Sequence, residues 1–215
     1  MSPPVVSALV HSEDLVNQHL VSQVDINSAN KILNGGVAPA QWFDKLLGQQ
    51  RQGRGCLPYF LGLQQADFER ILQRVSGQLG PGVMANSLST GEIFERALLR
   101  QELLELRRDE WLELRNLVNA FAANTEVLQL QLAEIIAAGC LGGDHLWRDL
   151  GFTQRSELSE FMLQNFPALA ALNTNDMKWK KFFYKQLCEL GGGYVCRSPS
   201  CEACTAYSDC FGSED

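Results

Sequence analysis

The sequence predicts an all-α protein, a single helical domain that ends in an irregular cysteine-rich loop suited to a metal cluster. Three observations support this prediction. Apolar residues recur at helical spacing through most of the chain beyond residue 56, and no strand-like alternation of comparable strength competes with them. Four of the seven cysteines lie within fifteen residues close to the C-terminal end.

Composition is that of a globular protein with one sizeable core. The chain has 215 residues, of which 46% are hydrophobic and 20% charged. Its net charge of -7 is unlike that of a nucleic-acid binder, which usually has a basic surface. No apolar run approaches the ~18 residues that span a bilayer. The first residues also lack the basic start of a signal peptide. We therefore expect a cytoplasmic protein that binds neither nucleic acid nor membrane, with cysteines that remain thiols or bind metal.

The first part of the chain is weakly patterned. Residues 1–55 are expected to be partly mobile or helical, with a glycine-rich loop at residues 48–55. The helical domain then covers residues 56–215, and residues 188–212 form its cluster-binding tail. The first firm helical spacing lies between Asp67 and Val75, after the break at Pro58.

The longest periodic stretch is "EIFERALLRQELLELRRDEWLELRNLVNAFAA", which predicts one long helix. Its apolar stripe consists of Trp111, Leu114, Val118 and Phe121. A second helix, "EVLQLQLAEIIAAG", follows a short link. The pair is therefore expected to be antiparallel.

Three further helices are predicted after the pair. The first is short and starts at a candidate N-cap, Asp144, and the second ends at Pro167. The third lies in "NTNDMKWKKFFYKQLCEL", with Thr174 or Asn175 as its N-cap. Its expected core face is made of Trp179, Phe182, Phe183 and Leu187.

The C-terminal cysteines follow the pattern C-x4-C-x2-C-x5-C at Cys196, Cys201, Cys204 and Cys210. Thiolates are soft ligands that suit iron–sulfur clusters or zinc. The first three have plant-type ferredoxin spacing, whereas zinc ribbons need a second C-x2-C pair that is not present. The pattern therefore favours an iron–sulfur cluster over zinc. Four unliganded thiols are the least favoured alternative, because exposed thiols oxidise.

Three lysines upstream of the motif share one helix face. Lys178, Lys181 and Lys185 stand at i, i+3 and i+7. Such a stripe is usually a solvated face. The alternative is a positive patch that attracts an oxyanion or the acidic surface of a partner.

Two residues outside the motif are candidate auxiliary ligands, Cys188 and His145. Cys188 ends the lysine-bearing helix eight residues before Cys196, and we favour it because a thiolate suits a sulfide-rich setting. The alternative role for Cys188 is core packing, and for His145 a hydrogen-bonded structural position. Cys56 and Cys140 lie in apolar contexts typical of buried structural thiols.

Several stretches resemble the nitrogen-fixation family NifQ. These are "HLWRDLGF", "SELSEFMLQNFPALAALNTNDMKWKKFFYKQLCE" and "CRSPSCEACTAYSDCFG". A further stretch, "LPYFLGL" followed by Phe68, is similar to the family's upstream signature. The resemblance is strong from Cys140 to Gly212, patchier from Leu57 to Val75, and is not seen in the first fifty residues.

The resemblance implies a molybdenum carrier for the iron–molybdenum cofactor of nitrogenase. Such proteins hold an iron–sulfur cluster, of 3Fe-4S or 4Fe-4S type, that takes up molybdenum, supplied as molybdate or a molybdenum–sulfur species. They pass it to the scaffold complex NifEN, with the nitrogenase iron protein NifH taking part. The family's cysteine motif falls on Cys196, Cys201, Cys204 and Cys210 without a change of spacing.

The chemistry of iron–sulfur clusters is compatible with the role of a molybdenum carrier. A cubane with a vacant corner offers bridging sulfides to a metal, with three thiolates on three irons and a labile fourth group. No catalytic dyad or activated nucleophile is recognisable, so the sequence predicts a carrier and not an enzyme. Two alternatives stay open: a simple iron–sulfur electron-transfer protein and a zinc-stabilised interaction module.

Overall fold

The fold is a bundle of helices with one shared core. The computed structural model of the protein describes residues 39–79, 91–122, 127–190 and 207–211. All regular elements in these ranges are helices and none is a strand, which confirms the predicted all-α class. The helices are α1 (Pro39–Arg51), α2 (Gln65–Leu79), α3 (Glu92–Leu106), α4 (Arg108–Asn119), α5 (Val127–Cys140), α6 (Leu146–Asp149), α7 (Arg155–Asn165), α8 (Pro167–Leu172), α9 (Trp179–Leu190) and α10 (Tyr207–Cys210).

The centre of the bundle is the pair α4 and α5. Trp111 Nε1 donates to Glu134 O at 3.1 Å, and Arg107 donates to Leu141 O at 2.7 Å. Because residues rise along α4 as their partners fall along α5, the two helices are antiparallel, as predicted. Helix α5 has buried residues on all its faces, as expected for a helix enclosed by neighbours.

The long helix predicted from residue 92 onward is interrupted, so that prediction is wrong in one detail. Helix α3 ends at Leu106 and α4 begins at Arg108, with Arg107 between them at φ -117° and ψ 31°. The guanidinium of Arg107 donates to both carboxylate oxygens of Glu110 and to the Leu141 carbonyl. This set of bonds ties the break to the end of α5. The predicted stripe Trp111, Leu114, Val118 and Phe121 is buried.

Helix α1 belongs to the same core as the later helices. The loop predicted at residues 48–55 starts later than expected, because α1 continues through Arg51. Trp42, Phe43 and Leu46 are buried, and Trp42 packs edge-on against Phe161 of α7. Helix formation there is favoured by that packing, since propensity alone gave only a weak pattern. Residues 1–38 lie outside the described residues.

The start of α9 also differs from the prediction. Neither Thr174 nor Asn175 is its N-cap, because the helix begins at Trp179. The side chain of Asn173 bonds both the N–H and the carbonyl of Met177 at 2.9 and 2.8 Å, and Asp176 has φ 51°, a left-handed conformation. Arg155 bonds both carboxylate oxygens of Asp176 at 2.8 Å. This turn delays the start of α9 to Trp179, next to the candidate site described below.

Within the described ranges, no helix combines the length and the apolar character that crossing a membrane requires.

Candidate functional site

One cysteine of the motif lies among the described residues, and it sits at the start of α9. The carbonyl of Cys210 accepts a 2.7 Å hydrogen bond from the backbone N–H of Lys178. The ammonium group of Lys178 donates to the Ser208 carbonyl at 2.8 Å. A lysine that binds carbonyls at the end of a short helix satisfies groups that lack helical partners. Lys178 therefore fixes this segment with a backbone bond to Cys210 and a side-chain bond to Ser208.

The neighbour of Cys210 anchors the same segment by packing. Phe211 is only 4% exposed and belongs to the core, and its ring stacks on Tyr207 with centroids 4.4 Å apart. Cys210 itself is half-buried. The end of the cysteine motif is thus attached to the bundle, with the thiol at the border between core and solvent.

A cleft of about 260 Å³ adjoins this segment. Three of its lining residues are site residues predicted from the sequence: His145, Lys178 and Lys181. A fourth, Asp209, directly precedes the motif residue Cys210. The α5–α6 loop supplies one wall and the start of α9 supplies the other. The remaining lining residues are Gly143, Asp144, Leu146 and Lys180.

The loop that carries His145 is held by Lys180 of α9 and by Arg107 from the break between α3 and α4. Lys180 of α9 donates to Gly142 O at 2.9 Å and forms a salt bridge with Asp149. Arg107 donates to the preceding carbonyl, that of Leu141, at 2.7 Å. Both clamps use charged donors to carbonyls, which are stronger than neutral hydrogen bonds.

The Asp149 carboxylate is the centre of this clamp. It is buried, and besides Lys180 it accepts the backbone N–H of Asp144 at 3.0 Å. The first residue of α6 is preceded by His145 as N-cap, so the predicted cap at Asp144 is off by one position. Asp144 instead accepts the N–H of His145 at 2.7 Å. That bond is the main reason why the pKa of Asp144 is lowered.

Gly142 has to be glycine for steric reasons. A Cβ at this position would overlap the side chains of Cys56 and Asp149. The N–H of Cys56 donates to Asp149 O at 2.8 Å, which brings the segment after α1 against the clamp. The absence of a side chain at Gly142 thus allows three segments to meet.

The two other cysteines in this region are Cys140, which is buried, and Cys56, which is half-buried. Burial, followed by the nearby Asp149 charge, raises the pKa of Cys56 to about 12. Burial also raises the pKa of Cys140, which is 3% exposed. Because thiolates are the reactive and metal-binding forms, the raised pKa values favour the structural role that the sequence predicts for both cysteines.

The other predicted site residues divide between the two ends of α9. His145, Lys178, Lys181 and Cys210 meet at its start, whereas Lys185 and Cys188 lie near its end. Cys188 lies nine positions after Trp179, which is about 14 Å along the helix axis. Lys185 forms a salt bridge with Glu189, and Cys188 is half-buried. The structure does not bring Cys188 to Cys210.

Cys196, Cys201 and Cys204 lie outside the described residues, in the stretch 191–206. In the described ranges, no three side chains of metal-ligand type form a cluster. The expected four-cysteine ligand set therefore stays a prediction.

The clamp residues Lys180, Asp149 and Arg107 are not among the site residues predicted from the sequence. The sequence distinguishes Lys180 from the other lysines, because it lies outside their i, i+3, i+7 stripe and therefore on a different face of the helix. No such sequence signal marks Asp149 and Arg107, since their partners lie 31 and 34 residues away along the chain.

Comparison with known proteins gives consistent results. The NifQ family profile matches residues 42–212, so the match starts earlier than the resemblance noted from Leu57 and includes most of α1. The chain is 47% identical over 173 residues to "Protein NifQ" of Azotobacter vinelandii, covering 80% of this chain and 88% of that protein. It is 37% identical over 175 residues to "Protein NifQ" of Klebsiella pneumoniae, covering 80% of this chain and 98% of that protein.

A third similar protein, "Protein NifQ homolog" of Sinorhizobium fredii, is 47% identical over 100 residues, or 46% of this chain and 44% of that protein. No solved structure matches the chain. The family profile spans the cleft, the cysteine motif and the helical bundle from Trp42 onward, and the two long alignments each cover 80% of the chain. The chain therefore belongs to the NifQ family, which is involved in nitrogen fixation and molybdenum processing.

Proposed function

We propose that the protein is an iron–sulfur carrier of molybdenum that delivers a Mo–Fe–S species for synthesis of the iron–molybdenum cofactor of nitrogenase. The observation that carries the proposal is the position of Cys210, a motif cysteine in a molybdenum-processing family that is fixed beside a lysine-lined cleft. The recipient is the scaffold complex NifEN, with the iron protein NifH taking part, as the resemblance implies. The protein acts as a cytoplasmic carrier and not as an enzyme.

The donor set fits an iron–sulfur cluster. Cys196, Cys201, Cys204 and Cys210 provide four soft thiolates, and a cluster of 3Fe-4S or 4Fe-4S type needs three or four of them. Cys210 is half-buried, which limits solvent access without closing the site to incoming metal. When bound, such a cluster would supply sulfide as a soft ligand for molybdenum.

The chain's own residues orient and neutralise this site. Lys178 holds the carbonyls of Ser208 and Cys210, which keeps the last cysteine in a fixed place. Thiolate ligands bring negative charge, and the ammonium groups of Lys178 and Lys181 together with the positive end of α9 offset it. Without these contacts, Cys210 would no longer be held in place and the negative charge of the thiolates would not be compensated.

The auxiliary ligand is better assigned to His145 than to Cys188. His145 lines the same cleft as Asp209, the residue next to Cys210. Cys188 lies about nine helical residues further along α9, a distance of about 14 Å. An imidazole is a borderline ligand that can be exchanged, and a labile ligand is what metal transfer needs.

Anaerobic purification of the full chain, with analysis of iron, molybdenum and zinc, tests the proposal. We expect iron at several atoms per chain and molybdenum after incubation with molybdate. Stoichiometric zinc without iron would favour the interaction module. Iron with reversible redox behaviour but no molybdenum uptake would favour the electron-transfer protein.

A deletion strain tests the biological side. It should fix nitrogen poorly when molybdate is scarce and recover when molybdate is plentiful, because mass action can then replace delivery. The measurement is nitrogenase activity across a molybdate series. A defect that persists at every molybdate concentration would contradict a delivery role.

A further inference from the structure

We propose that the cleft between the α5–α6 loop and the start of α9 is a subsite for a tetrahedral oxoanion, in which Lys178, Lys181 and His145 bind the anion beside Cys210. The assignment of molybdate as the natural anion rests on the proposed carrier function. The anion subsite itself depends only on residues of the described bundle and not on the cluster.

The cleft has room for a hydrated anion. Its volume is about 260 Å³, whereas one water needs roughly 10–15 Å³ on the same scale. An oxoanion with four oxygens can therefore enter with part of its hydration shell. A flat acidic protein surface does not fill such a concave site, and this favours a small anion as the occupant over a docking partner.

The lysines in α9 and just before it differ in how many of their donors are already used in described contacts. Lys181 is exposed and makes no salt bridge with another described residue. Lys178 uses one of its three ammonium hydrogens on Ser208 O, which leaves two donors. Lys180 is committed to Asp149 and Gly142, and Lys185 to Glu189. Lys178 and Lys181, the two lysines with unused donors, thus both line the cleft next to the segment that carries Cys210.

Helix α9 adds to the attraction. Its first residues line the cleft, and it is 12 residues long, so its positive end faces a bound anion. Backbone N–H groups in the first turn lack helical acceptors and are suitable donors to oxygens. The N–H of Lys178 is not among them, because it is bonded to Cys210 O.

Two carboxylates in the lining oppose the anion, and they differ in strength. Asp144 accepts the N–H of His145 and lies 3.6 Å from Arg148, so its charge is largely compensated. Asp209 is exposed and directly precedes Cys210. Its repulsion makes anion binding weak, as a site that passes its ligand onward requires. It also provides a substitution that should tighten binding.

The clamp explains why the subsite is already formed. The His145 wall is held through Gly142 O by Lys180 and through Leu141 O by Arg107. Binding therefore costs little ordering of the loop, which is the advantage of a preorganised site. The clamp residues themselves are poor choices for a binding test, because changing them would loosen the fold.

Equilibrium dialysis of anaerobically purified full-length protein against labelled molybdate tests the inference, with iron measured in each sample. We expect one molybdate per chain at low ionic strength, weakened by salt and by competing tungstate or sulfate. Lys181→Gln should weaken binding about tenfold, the effect of losing one charge-assisted bond of ~1.4 kcal/mol. Asp209→Asn should tighten it about threefold by removing repulsion.

Lys185→Gln is the matched lysine variant at the other end of α9, and it should change molybdate affinity less than twofold. Equal weakening by Lys181→Gln and Lys185→Gln would overturn the subsite, because the determinant would then be general charge. So would lysine variants that bind molybdate normally but transfer molybdenum slowly to NifEN, which would assign the lysines to partner docking.

The subsite and the carrier proposal fail in different ways. If wild-type protein carries full iron but its molybdate binding does not depend on Lys181, the subsite alone is overturned. Loss of molybdate binding in Cys210→Ser together with its iron would do the same, because the anion would then bind at the cluster. Lys181-dependent binding in protein that never acquires iron would support the subsite and contradict the iron–sulfur carrier.

Discussion

The two ends of α9 have similar composition and different surroundings. Each end has lysine and, near it, a cysteine: Lys178, Lys181 and Cys210 at the start, Lys185 and Cys188 near the end. Among the described residues, only the start lines the cleft whose second wall is the α5–α6 loop with His145, and only the start is bonded to residues 207–211. A charged helix face thus becomes a candidate site where neighbouring segments enclose it.

The loss of bound iron gives the largest expected contrast between the ends. Cys210→Ser should lose most of the iron, because a serine oxygen is a hard ligand and iron–sulfur clusters prefer thiolate. Cys188→Ser should retain it. Iron per chain after anaerobic purification is the measurement, with circular dichroism to show that both variants are helical. Equal iron loss in the two variants would erase the distinction and return Cys188 to the ligand set.

The His145 assignment sharpens the same contrast. In His145→Ala the iron content should stay close to normal while the molybdenum-to-iron ratio falls. In Cys188→Ala that ratio should be unchanged. Metal analysis after incubation with molybdate measures both ratios. The opposite pattern, a lowered ratio only in Cys188→Ala, would reinstate the cysteine as the auxiliary ligand.

Stability provides a second contrast, between two lysines on the same helix. Lys180→Met should lower the free energy of unfolding by roughly 3 kcal/mol, because it leaves the buried Asp149 carboxylate without its cation. Lys185→Met should cost at most about 0.5 kcal/mol, since its pair with Glu189 is exposed and spaced i, i+4. Urea denaturation of the apoprotein measures both values.

A double variant separates loss of the ion pair from damage to packing. Lys180→Met combined with Asp149→Asn removes both charges and should recover part of the loss seen in Lys180→Met alone. A double variant less stable than either single variant would mean that the two side chains act independently.

The smallest expected effect concerns the other half of the clamp and depends on pH. The hydrogen bond from Arg107 holds the pKa of Glu110 below 4.5, and Tyr184 donates a 2.5 Å hydrogen bond to the same carboxylate. The contribution of Glu110 is therefore present above pH 4.5 and is lost as the pH falls through its lower folded-state pKa.

Glu110→Gln should thus cost about 1 kcal/mol at pH 7 and less at pH 3. Unfolding by urea at the two pH values tests this difference. A penalty that is the same at both pH values would show that shape, and not charge, determines the role of Glu110.

Much of the fold followed from periodicity. The stripe from Trp111 to Phe121 and the aromatic face of α9 are buried as predicted, since a helix exposes an apolar stripe only at a cost in free energy. Helix α1 and the break at Arg107 did not follow. Packing against α7 and the bond to Leu141 O determine them, and neither partner is visible in the local sequence.

Residue type and spacing are properties of the linear chain, so they sufficed to predict the helical class and the family, and they predict soft thiolate ligands at the four-cysteine motif. The tertiary structure shows which lysines and which candidate auxiliary residue lie near Cys210. Lys178, His145 and Asp209 are separated by up to 64 positions and meet only because the loop after α5 and the segment 207–211 both pack against the start of α9. Such long-range contacts come from core packing, which no local pattern encodes.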